Sequence, residues 1–472
     1  MKPVVIIGGG ITGLTAAFCL RQRGLPVIVL EASGRVGGVI QSLRRDGWLA
    51  EFGPNSILET SPVISNLVRD LGLESRRVYS SPSAENRYVV RGGMPVAVPA
   101  SAAGLLTTPL FSFPAKLRVL AELFIGRAPE GVEESIAQFV VRRLGREFLD
   151  YAIDPMVAGV YAGDPARLSV SQAFPKLYAL EKRHRSLFLG QVLGARERKR
   201  SGEVSKQNAK KLSFDDGLQA LVDTLQSRLG GAVETSAPVR GLRRAADGWL
   251  IEMEPGAGGR RIECGAVLLA LPSHKIASLE LETAPALDVS PLAKVYYPPV
   301  ASVVLGFHRA DVQHPLDGFG MLIPRKEGFN ILGALFSSSL FPNRAPDGEV
   351  LLTCYIGGAR DPLLPLKTTG ALVEMAVKDL AAILGARGRP AFQHVAVYRQ
   401  AIPQYNVGFG KVRALFNEME QKAPGLFMAG HARDGISLGD SIISAHNVAA
   451  RIQAYLQSNP ARLNPANHPV SA

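Results

Sequence analysis

An apolar run that leads into a glycine-rich turn constrains the fold of this chain more than any other feature. Val4–Ile7 is followed by Gly8, Gly10 and Gly13. In a strand–turn–helix unit the first glycine permits the tight turn, the second lets the backbone approach a pyrophosphate, and the third lets the helix pack closely on the sheet. A second apolar run ends in Glu31, 18 residues after Gly13 and close to the spacing at which a carboxylate meets an adenosine ribose hydroxyl. The sequence therefore predicts an α/β domain that binds a dinucleotide at a helix N-terminus.

The residues just beyond Glu31 indicate which dinucleotide is bound. Arg35 and the pair Gly37-Gly38 follow the carboxylate, an extension that resembles the flavin-dependent amine oxidase superfamily. This resemblance implies FAD, with the arginine and the glycines along its diphosphate; a nicotinamide dehydrogenase would not need them. The cofactor-binding residues predicted in this part of the chain are Gly8, Gly9, Gly10, Ile11, Thr12, Gly13, Glu31, Ala32, Arg35, Gly37 and Gly38.

Length, composition and charge limit the class of protein. A chain of 472 residues exceeds the usual size of a single hydrophobic core, so more than one domain is expected. The net charge of +12 would suit an anionic membrane face, an anionic substrate or nucleic acid, but no basic motif interleaved with aromatic residues favours nucleic acid. With 47% hydrophobic and 20% charged residues, the chain is apolar for a soluble enzyme. This composition does not indicate a bundle of membrane-spanning helices.

The cysteines and the position of the first strand bear on metal binding and compartment. Cys19, Cys264 and Cys354 lie too far apart for a zinc site or a redox dithiol, so we expect no metal and three buried cysteines in a reducing compartment. The predicted strand at Val4–Ile7 leaves no room before it for a signal peptide, which predicts a cytoplasmic location.

Residues 92–115 carry no charge and include four prolines, followed by an amphipathic stretch at 116–124. The prolines deny a membrane-spanning helix its hydrogen bonds. One interpretation is an anchor that dips into one leaflet, here on the cytoplasmic face of a membrane; the other is a helical subdomain that packs on its own core.

The pattern of runs predicts a fold that is α/β in its nucleotide domain and α+β overall. We expect a Rossmann-like FAD-binding domain that is discontinuous, formed by residues 1–86, 212–290 and 405–459. A mostly helical insertion that binds the membrane and lines the substrate pocket is expected at 87–211, and it ends in a solvated linker at 196–211. A substrate-binding domain with an antiparallel sheet is expected at 291–404. Residues 153–165 are predicted as a loop and 460–472 as a disordered tail.

Several segments together resemble the oxygen-dependent, FAD-containing protoporphyrinogen oxidase family, most of all its plant mitochondrial form. They are residues 53–56, 159–165, 318–324, 332–338, 341–346 and 356–360. The resemblance implies the six-electron oxidation of protoporphyrinogen IX to protoporphyrin IX in heme biosynthesis, with hydride transfer to flavin N5 and reoxidation of the flavin by dioxygen to give hydrogen peroxide. Since the flavin performs the chemistry, no catalytic side chain is predicted.

The same resemblance assigns site residues. Arg91 matches an arginine that binds a substrate propionate, although the hairpin sequence alone favours a salt bridge. Leu322, Leu335 and Tyr355 match residues that sandwich the macrocycle, yet on pattern alone all three are ordinary strand-core residues. The remaining implied positions are Gly159, Gly190 and Gly333 for substrate and Gly53, Pro54, Asn55, Ser56, Val239, Gly430, Ile436, Ser437 and Leu438 for FAD.

Two positions near the end of the chain depart from the family. His431 stands where the family commonly has asparagine, and Ala445 stands where it commonly has glycine. His431 either replaces the hydrogen bond of the asparagine or adds a group that titrates beside the flavin.

Other functions remain open at this point. Coproporphyrinogen III oxidation would need more cationic partners, since that substrate carries four propionates. An amine oxidase wants an aromatic pair near the flavin, and residues 430–441 contain no aromatic residue. A carotenoid desaturase would not need Arg91, and an FAD-binding scaffold without activity is the last alternative. A homodimer, and a ferrochelatase that receives the product, are protein partners that the resemblance leaves open.

Overall fold

The computed structural model describes residues 1–99, 101–129, 131–187 and 209–459. The predicted substrate residue Gly190, most of the predicted linker and the predicted tail therefore lie outside the described residues.

A five-stranded parallel sheet forms the centre of the first half of the fold. Its strands follow the order Val233–Glu234, Val27–Leu30, Val4–Ile7, Ala266–Leu269 and Leu426–Met428. The central strand is completely buried because parallel neighbours flank it on both edges, with Val4 opposite Val27 on one side and Ala266 on the other. Chain segments separated by hundreds of residues thus enter one sheet.

Helices cover this sheet and fix its glycine-rich edge. Ile11–Gln22 leaves the first strand and packs on Gln219–Leu229 and on the last helix, Leu438–Gln457. The last helix begins at a capping box, in which the Ser437 side chain accepts from the Asp440 amide and the Asp440 side chain accepts from the Ser437 amide. A shared core of aliphatic residues joins the three helices to one face of the sheet.

Three smaller sheets surround this centre. A four-stranded sheet has the order Arg261–Cys264, Gly248–Met253, Val239–Ala245 and Glu280–Glu282. Ser42–Arg45 and Trp48–Glu51 form a hairpin, and Lys211–Phe214 lies between Ile57–Leu58 and Arg77–Tyr79. Lys211, expected at the end of a mobile linker, is therefore the first residue of a strand.

A seven-stranded sheet forms the second half of the fold. Its order is Phe392–Tyr398, Val300–His308, Glu349–Gly357, Ile331–Phe336, Gly318–Leu322, Asn86–Arg91 and Met94–Ala97. Neighbours are antiparallel except Gly318–Leu322 and Asn86–Arg91, which are parallel. Helix Thr369–Leu384 covers one face of this sheet.

The hairpin around Gly92 and Gly93 corrects an expectation from the sequence. The predicted bounds assign residues 87–97 to the mostly helical insertion, whereas the strands of this hairpin extend the seven-stranded sheet. Both glycines adopt a positive φ, of 61° and 76°, which suits the two-residue turn that joins the strands. The division of the chain into the three predicted domains otherwise stays a prediction.

A helical region lies beside this second sheet. Ile136–Leu144 ends at Gly145, and the chain continues through Arg146–Phe148 and the π-helical turn Leu149–Ile153 into helix Asp154–Tyr161. The expectation of a loop at 153–165 was wrong for its first part, because Ala158 and Gly159 let this segment pack closely as a helix. The other helices are Pro62–Asp70, Ala102–Thr107, Phe113–Leu120, Val170–Ala173, Pro175–His184, Ser273–Ala277, Ser290–Ala293, Ser337–Leu340 and Phe409–Lys422.

Short 3-10 turns complete the elements. They are Glu74–Arg76, Pro82–Ala84, Ala121–Phe124, Gly230–Ala232, Pro255–Ala257, Arg309–Asp311, Arg325–Glu327 and Leu364–Leu366. Within the described ranges, no helix has both the length and the apolar character that crossing a membrane requires.

All three cysteines are buried and unpaired, and burial raises the pKa of Cys19 to about 11.

Candidate functional site: a cleft between the glycine-rich turn and the second sheet

The glycine-rich turn has the geometry that its spacing predicts. Gly8 has φ of 110°, and a Cβ there would lie 2.5 Å from the carbonyl oxygen of Ala270. A Cβ on Gly13 would overlap the carbonyl oxygen of Gly8, so only glycine lets the helix Ile11–Gln22 approach the strand this closely. These two glycines are required by the fold itself.

Gly10 differs from its neighbours because the space beside it is open. No heavy atom lies within 4 Å of the position that a Cβ would take, and no side chain caps the helix that Gly10 precedes. A helix N-terminus with free amides and an open approach is a place where a pyrophosphate binds favourably. The residues present therefore fit the diphosphate of FAD.

Glu31 is fixed by hydrogen bonds to both of its carboxylate oxygens. Its Oε2 accepts from the Gly9 amide at 2.8 Å, and its Oε1 accepts from the Ser33 amide and hydroxyl, each at 2.8 Å. The backbone of Glu31 is also bonded to the segment that precedes the strand Val239–Ala245, because the Ala237 amide donates to the Glu31 carbonyl. Val239 begins its strand two residues beyond Ala237, so this predicted FAD residue lies near the Glu31 segment.

Arg35 supports the loop that completes the glycine-rich edge. Its guanidinium donates to the carbonyls of Val36, Gly38 and Ile40 at 2.7 to 3.2 Å. These bonds hold Gly37 and Gly38 beside Gly10, with which Gly37 forms a parallel bridge. Arg35 thus shapes the predicted diphosphate region through the backbone of this loop.

The end of the chain closes the same region. Gly430 has φ of 100°, and a Cβ on it would lie 2.9 Å from Thr12 Oγ1 in the first helix. Its amide donates to Ser444 Oγ at 2.9 Å. Ile436, Ser437 and Leu438 follow at the N-terminus of the last helix. The structure therefore brings Gly430 and the predicted FAD residues of the first helix together.

The turn at residues 53–56 joins the two halves of the fold. Asn55 Nδ2 donates to the Tyr355 hydroxyl at 2.7 Å, and this hydroxyl donates to the Gly53 carbonyl at 3.3 Å. A predicted flavin turn is thus bonded directly to a predicted substrate residue. Burial raises the pKa of Tyr355 above its ordinary value, so the phenol stays protonated.

Four strands of the second sheet place a row of residues opposite one another. Tyr355 pairs with Gly333, Gly333 with Leu322, and Leu322 with Val89. Opposite residues in a sheet share a face, and Leu335, two residues after Gly333, lies on that face too. Leu322, Leu335 and Tyr355 each stay partly exposed although both of their chain neighbours are buried. The structure therefore gathers these predicted substrate residues on one accessible apolar face.

Gly159 packs against this face from the helix Asp154–Tyr161. A Cβ on Gly159 would overlap Leu322 Cδ2. The first residue of the helix is fixed to the sheet region, because Asp154 Oδ2 accepts from Arg360 Nη2 at 3.0 Å and from the Arg325 amide at 2.8 Å. Gly159 thus lets its helix pack directly against Leu322.

Arg91 lies at the end of the same face, two residues beyond Val89. Its Nη1 donates to Glu147 Oε1 at 2.7 Å and to the Leu110 carbonyl, and its Cζ lies 4.3 Å from the centre of the Tyr151 ring. The salt bridge that the hairpin sequence allowed is therefore present, and it lies beside the predicted pocket.

His431 is largely shielded from solvent, and its ring centre lies 6.0 Å from that of Tyr297. Burial first, and then the charge that His274 would carry, lower the pKa of His431 to about 4. Its backbone carbonyl accepts from the Tyr405 hydroxyl at 2.5 Å. A histidine with this pKa is neutral at physiological pH, which favours its interpretation as a neutral substitute for asparagine.

Two contacts at the site had no signal in the sequence. Glu147, 56 positions from Arg91, pairs with it. Glu51 and Arg344, both buried, form an ion pair at 3.5 Å beside the pocket that Leu335 and Asn55 help to line. Burial raises the pKa of Glu51 and lowers that of Arg344.

Among the described residues, no group of three or more His, Cys, Asp or Glu side chains could hold a metal.

A glycine-rich strand–turn–helix unit on a parallel sheet, joined to a second sheet through the bond from Asn55 to Tyr355, is the architecture of a two-part flavoprotein oxidoreductase. The sequence pattern of flavin containing amine oxidoreductases matches residues 11–453. The chain belongs to this family, and FAD is its cofactor.

The relatives and the solved structures agree with this assignment. Protoporphyrinogen oxidase 2, chloroplastic/mitochondrial, of Arabidopsis thaliana is 33% identical over 97% of this chain and 95% of its own length. Coproporphyrinogen III oxidase of Bacillus subtilis (strain 168) is 31% identical over 97% of this chain and 99% of its own length. A crystal structure from Exiguobacterium sp. 255-15, provisionally assigned as a protoporphyrinogen oxidase, has a TM-score of 0.80 and 24% identity over 96% of this chain and 99% of that one.

Proposed function

We propose that this flavoprotein oxidises protoporphyrinogen IX to protoporphyrin IX with dioxygen as electron acceptor and hydrogen peroxide as second product. The observation that carries the proposal is the accessible apolar face of Leu322, Leu335 and Tyr355, tied to the predicted flavin turn through Asn55. A flat, apolar macrocycle is the kind of substrate that such a face would hold next to an isoalloxazine ring. The named protoporphyrinogen oxidase of Arabidopsis thaliana supports this substrate class.

The side chains of this face bind and orient, while the cofactor performs the oxidation. FAD held at the glycine-rich turn would supply hydride-accepting, two-electron chemistry. Leu322 and Leu335 would hold the ring by apolar contact and exclude water from it. Gly159 would let its helix pack directly on Leu322 and so hold that side chain in place beside the ring.

Tyr355 has a positioning role in this proposal. Its hydroxyl keeps its proton because burial raises its pKa, and it bonds the turn that holds Gly53 and Asn55. Tyr355 would therefore set the distance between the apolar face and the flavin turn, and it would not act as a base.

Arg91 would bind a propionate of the substrate. Its planar guanidinium suits a carboxylate, and it lies two residues from Val89, at the end of the row that contains Leu322. The substrate would then lie with its apolar rings along Leu322 and Tyr355 and its charged edge at Arg91.

Coproporphyrinogen III is the second candidate substrate. The named coproporphyrinogen III oxidase of Bacillus subtilis, 31% identical to this chain, favours it. Four propionates would need more cations than Arg91 supplies. Near Arg91, Lys326 lies 3.8 Å from Asp150, and Arg146 donates to the same carboxylate at 2.9 Å. Arg91 pairs with a carboxylate in the same way, so these ion pairs do not separate the two substrates. We place protoporphyrinogen IX first because relatives named as protoporphyrinogen oxidases are 33 to 35% identical to this chain.

An exposed apolar surface supports peripheral attachment to a membrane, in our proposal on its cytoplasmic face. We define this apolar surface by Leu106, Phe113, Leu117, Leu120 and Phe124. Phe113 is 72% exposed and Phe124 is 88% exposed, which costs free energy in water and suits the interface of a lipid leaflet. A homodimer and delivery of the product to a ferrochelatase remain predictions from the family alone.

Anaerobic mixing tests the proposed substrate. FAD-loaded protein is mixed with protoporphyrinogen IX, with coproporphyrinogen III, or with a primary amine, and the bleaching of the oxidised flavin is followed. The proposal expects fast bleaching with protoporphyrinogen IX, slower bleaching with coproporphyrinogen III, and none with the amine. Bleaching by the amine alone would overturn it.

A further inference from the structure

Arg91 uses a single nitrogen for its hydrogen bonds to the described part of the chain. Nη1 donates both to Glu147 Oε1 and to the Leu110 carbonyl. The guanidinium lies over the Tyr151 ring, 4.3 Å from its centre, so its plane is held by packing as well. Arginine has five donors, and those on Nη2 and Nε remain for a ligand.

Glu147 is itself fixed from the other side by Ser112. Its Oε1 accepts from the Ser112 amide at 2.8 Å, and its Oε2 accepts from the Ser112 hydroxyl at 2.5 Å. Ser112 caps the helix Phe113–Leu120, so the carboxylate is anchored to an ordered element. Partial burial works to raise the pKa of Glu147, but the bonds from Ser112 and Arg91 outweigh it and leave the pKa below its ordinary value.

We infer that Glu147 is a positioning residue that holds Arg91 in place, an inference that rests on the proposed function of Arg91. The Glu147 carboxylate also competes with the substrate carboxylate for the positive charge of the guanidinium. A substrate propionate at Nη2 or Nε would share one guanidinium with Glu147. The two carboxylates repel each other, and because Ser112 fixes Glu147, it cannot move away without breaking its hydrogen bonds. Glu147 therefore weakens substrate binding while it keeps the arginine oriented.

The substitution Glu147→Gln separates orientation from charge. The glutamine carbonyl can still accept from Arg91 and from the Ser112 amide, and its NH₂ can donate to the Ser112 hydroxyl. Removing one charge roughly 6 Å from a bound carboxylate in a solvated site lowers KM for protoporphyrinogen IX by about threefold. The turnover number and the unfolding temperature stay unchanged, a pattern that a merely structural residue would not produce.

Two further variants complete the test. Glu418→Gln removes an exposed carboxylate that pairs with Lys422 far along the chain, and it should leave KM unchanged. In the Arg91→Ala background, Glu147→Gln should no longer lower KM, since without the arginine no propionate is held beside Glu147.

The outcomes distinguish this inference from the function on which it rests. If the wild type turns over protoporphyrinogen IX and Arg91→Ala raises KM, but Glu147→Gln leaves KM unchanged or raises it, the inference is wrong and the proposed function stands. An equal fall of KM with Arg91 present or absent also overturns the inference. If no porphyrinogen is turned over, the proposed function itself fails.

Discussion

Gly159 and Leu322 are packed so closely that a methyl group on the glycine would overlap the Cδ2 atom of the leucine. The two residues come from different elements, a helix and a strand of the seven-stranded sheet. Leu322 also lies in one row with Gly333 and Tyr355. The contact therefore links the helical wall of the cleft to the face on which we place the substrate.

Gly159→Ala is expected to impair turnover more than folding. The added methyl group meets the end of a flexible side chain, so Leu322 must rotate into the cleft while the backbone stays in place. We expect kcat/KM for protoporphyrinogen IX to fall by about tenfold, with a loss of folding stability below about 1.5 kcal/mol. The flavin content should not change.

Gly231→Ala is the matched control for this variant, because nothing lies within 4 Å of the added methyl group. A Gly159→Ala protein with normal kinetics would show that the space in front of Leu322 is not used by the substrate.

Gly10→Ala and Gly13→Ala are expected to separate cofactor binding from folding. Gly10 has φ of −72°, which alanine adopts, and the space beside it is open, so the variant should fold but bind FAD at least about tenfold more weakly. Gly13→Ala should destabilise the apoprotein, because its methyl group would overlap the Gly8 carbonyl. Unfolding temperature without flavin and the FAD dissociation constant are measured for both. Unchanged FAD affinity in Gly10→Ala would contradict the cradle that we assign to this turn.

Glu31→Gln is expected to weaken FAD binding without changing the substrate constants of the loaded protein. The carboxylate is held by the amides of Gly9 and Ser33, and a hydrogen bond from a ribose hydroxyl to a charged group contributes about 1.5 to 3 kcal/mol. The FAD dissociation constant should rise at least about tenfold. Glu263→Gln, which removes an exposed carboxylate paired with Lys2, is the control and should bind FAD normally. Equal affinities in the two variants would remove Glu31 from the cofactor site.

His431→Asn is expected to make folding less sensitive to acid. Burial holds the folded-state pKa of His431 near 4, below its unfolded value near 6.5. The unfolded state therefore binds the proton first, and stability falls by up to about 1.4 kcal/mol per pH unit as pH drops from about 6.5 toward 4. Above pH 7 the two proteins should differ little.

Unfolding by denaturant at pH 7.5 and pH 5 checks this, since the wild type should lose more stability than His431→Asn. Equal losses would mean that His431 is not buried as the structure places it. A similar flavin potential in both proteins at pH 7.5 would agree with a neutral replacement of asparagine.

The first half of the fold was predictable because its signals are local. The run Val4–Ile7, the glycines after it and Glu31 are close in sequence, and the structure joins Glu31 to the Gly9 amide. Buried parallel strands such as Ala266–Leu269 read as continuous apolar runs.

The second half depended on contacts that are far apart in sequence. The parallel pairing of Asn86–Arg91 with Gly318–Leu322 joins residues more than 200 positions apart, and no hydrophobic period indicates which strand accepts the hairpin. Helix Asp154–Tyr161 looked like a loop because its glycine and proline lower helix propensity, which packing on Leu322 overrides. Leu322, Leu335 and Tyr355 were indistinguishable from core residues until the structure showed them partly exposed on one face.

The most direct test of the central claim is aerobic turnover of the FAD-loaded protein on protoporphyrinogen IX and coproporphyrinogen III side by side, for the wild type and for Arg91→Ala. Porphyrin fluorescence and hydrogen peroxide are measured together. The account predicts a higher kcat/KM for protoporphyrinogen IX, peroxide release with the porphyrin, and a raised KM in Arg91→Ala. A preference for coproporphyrinogen III, or turnover that does not depend on Arg91, would contradict it.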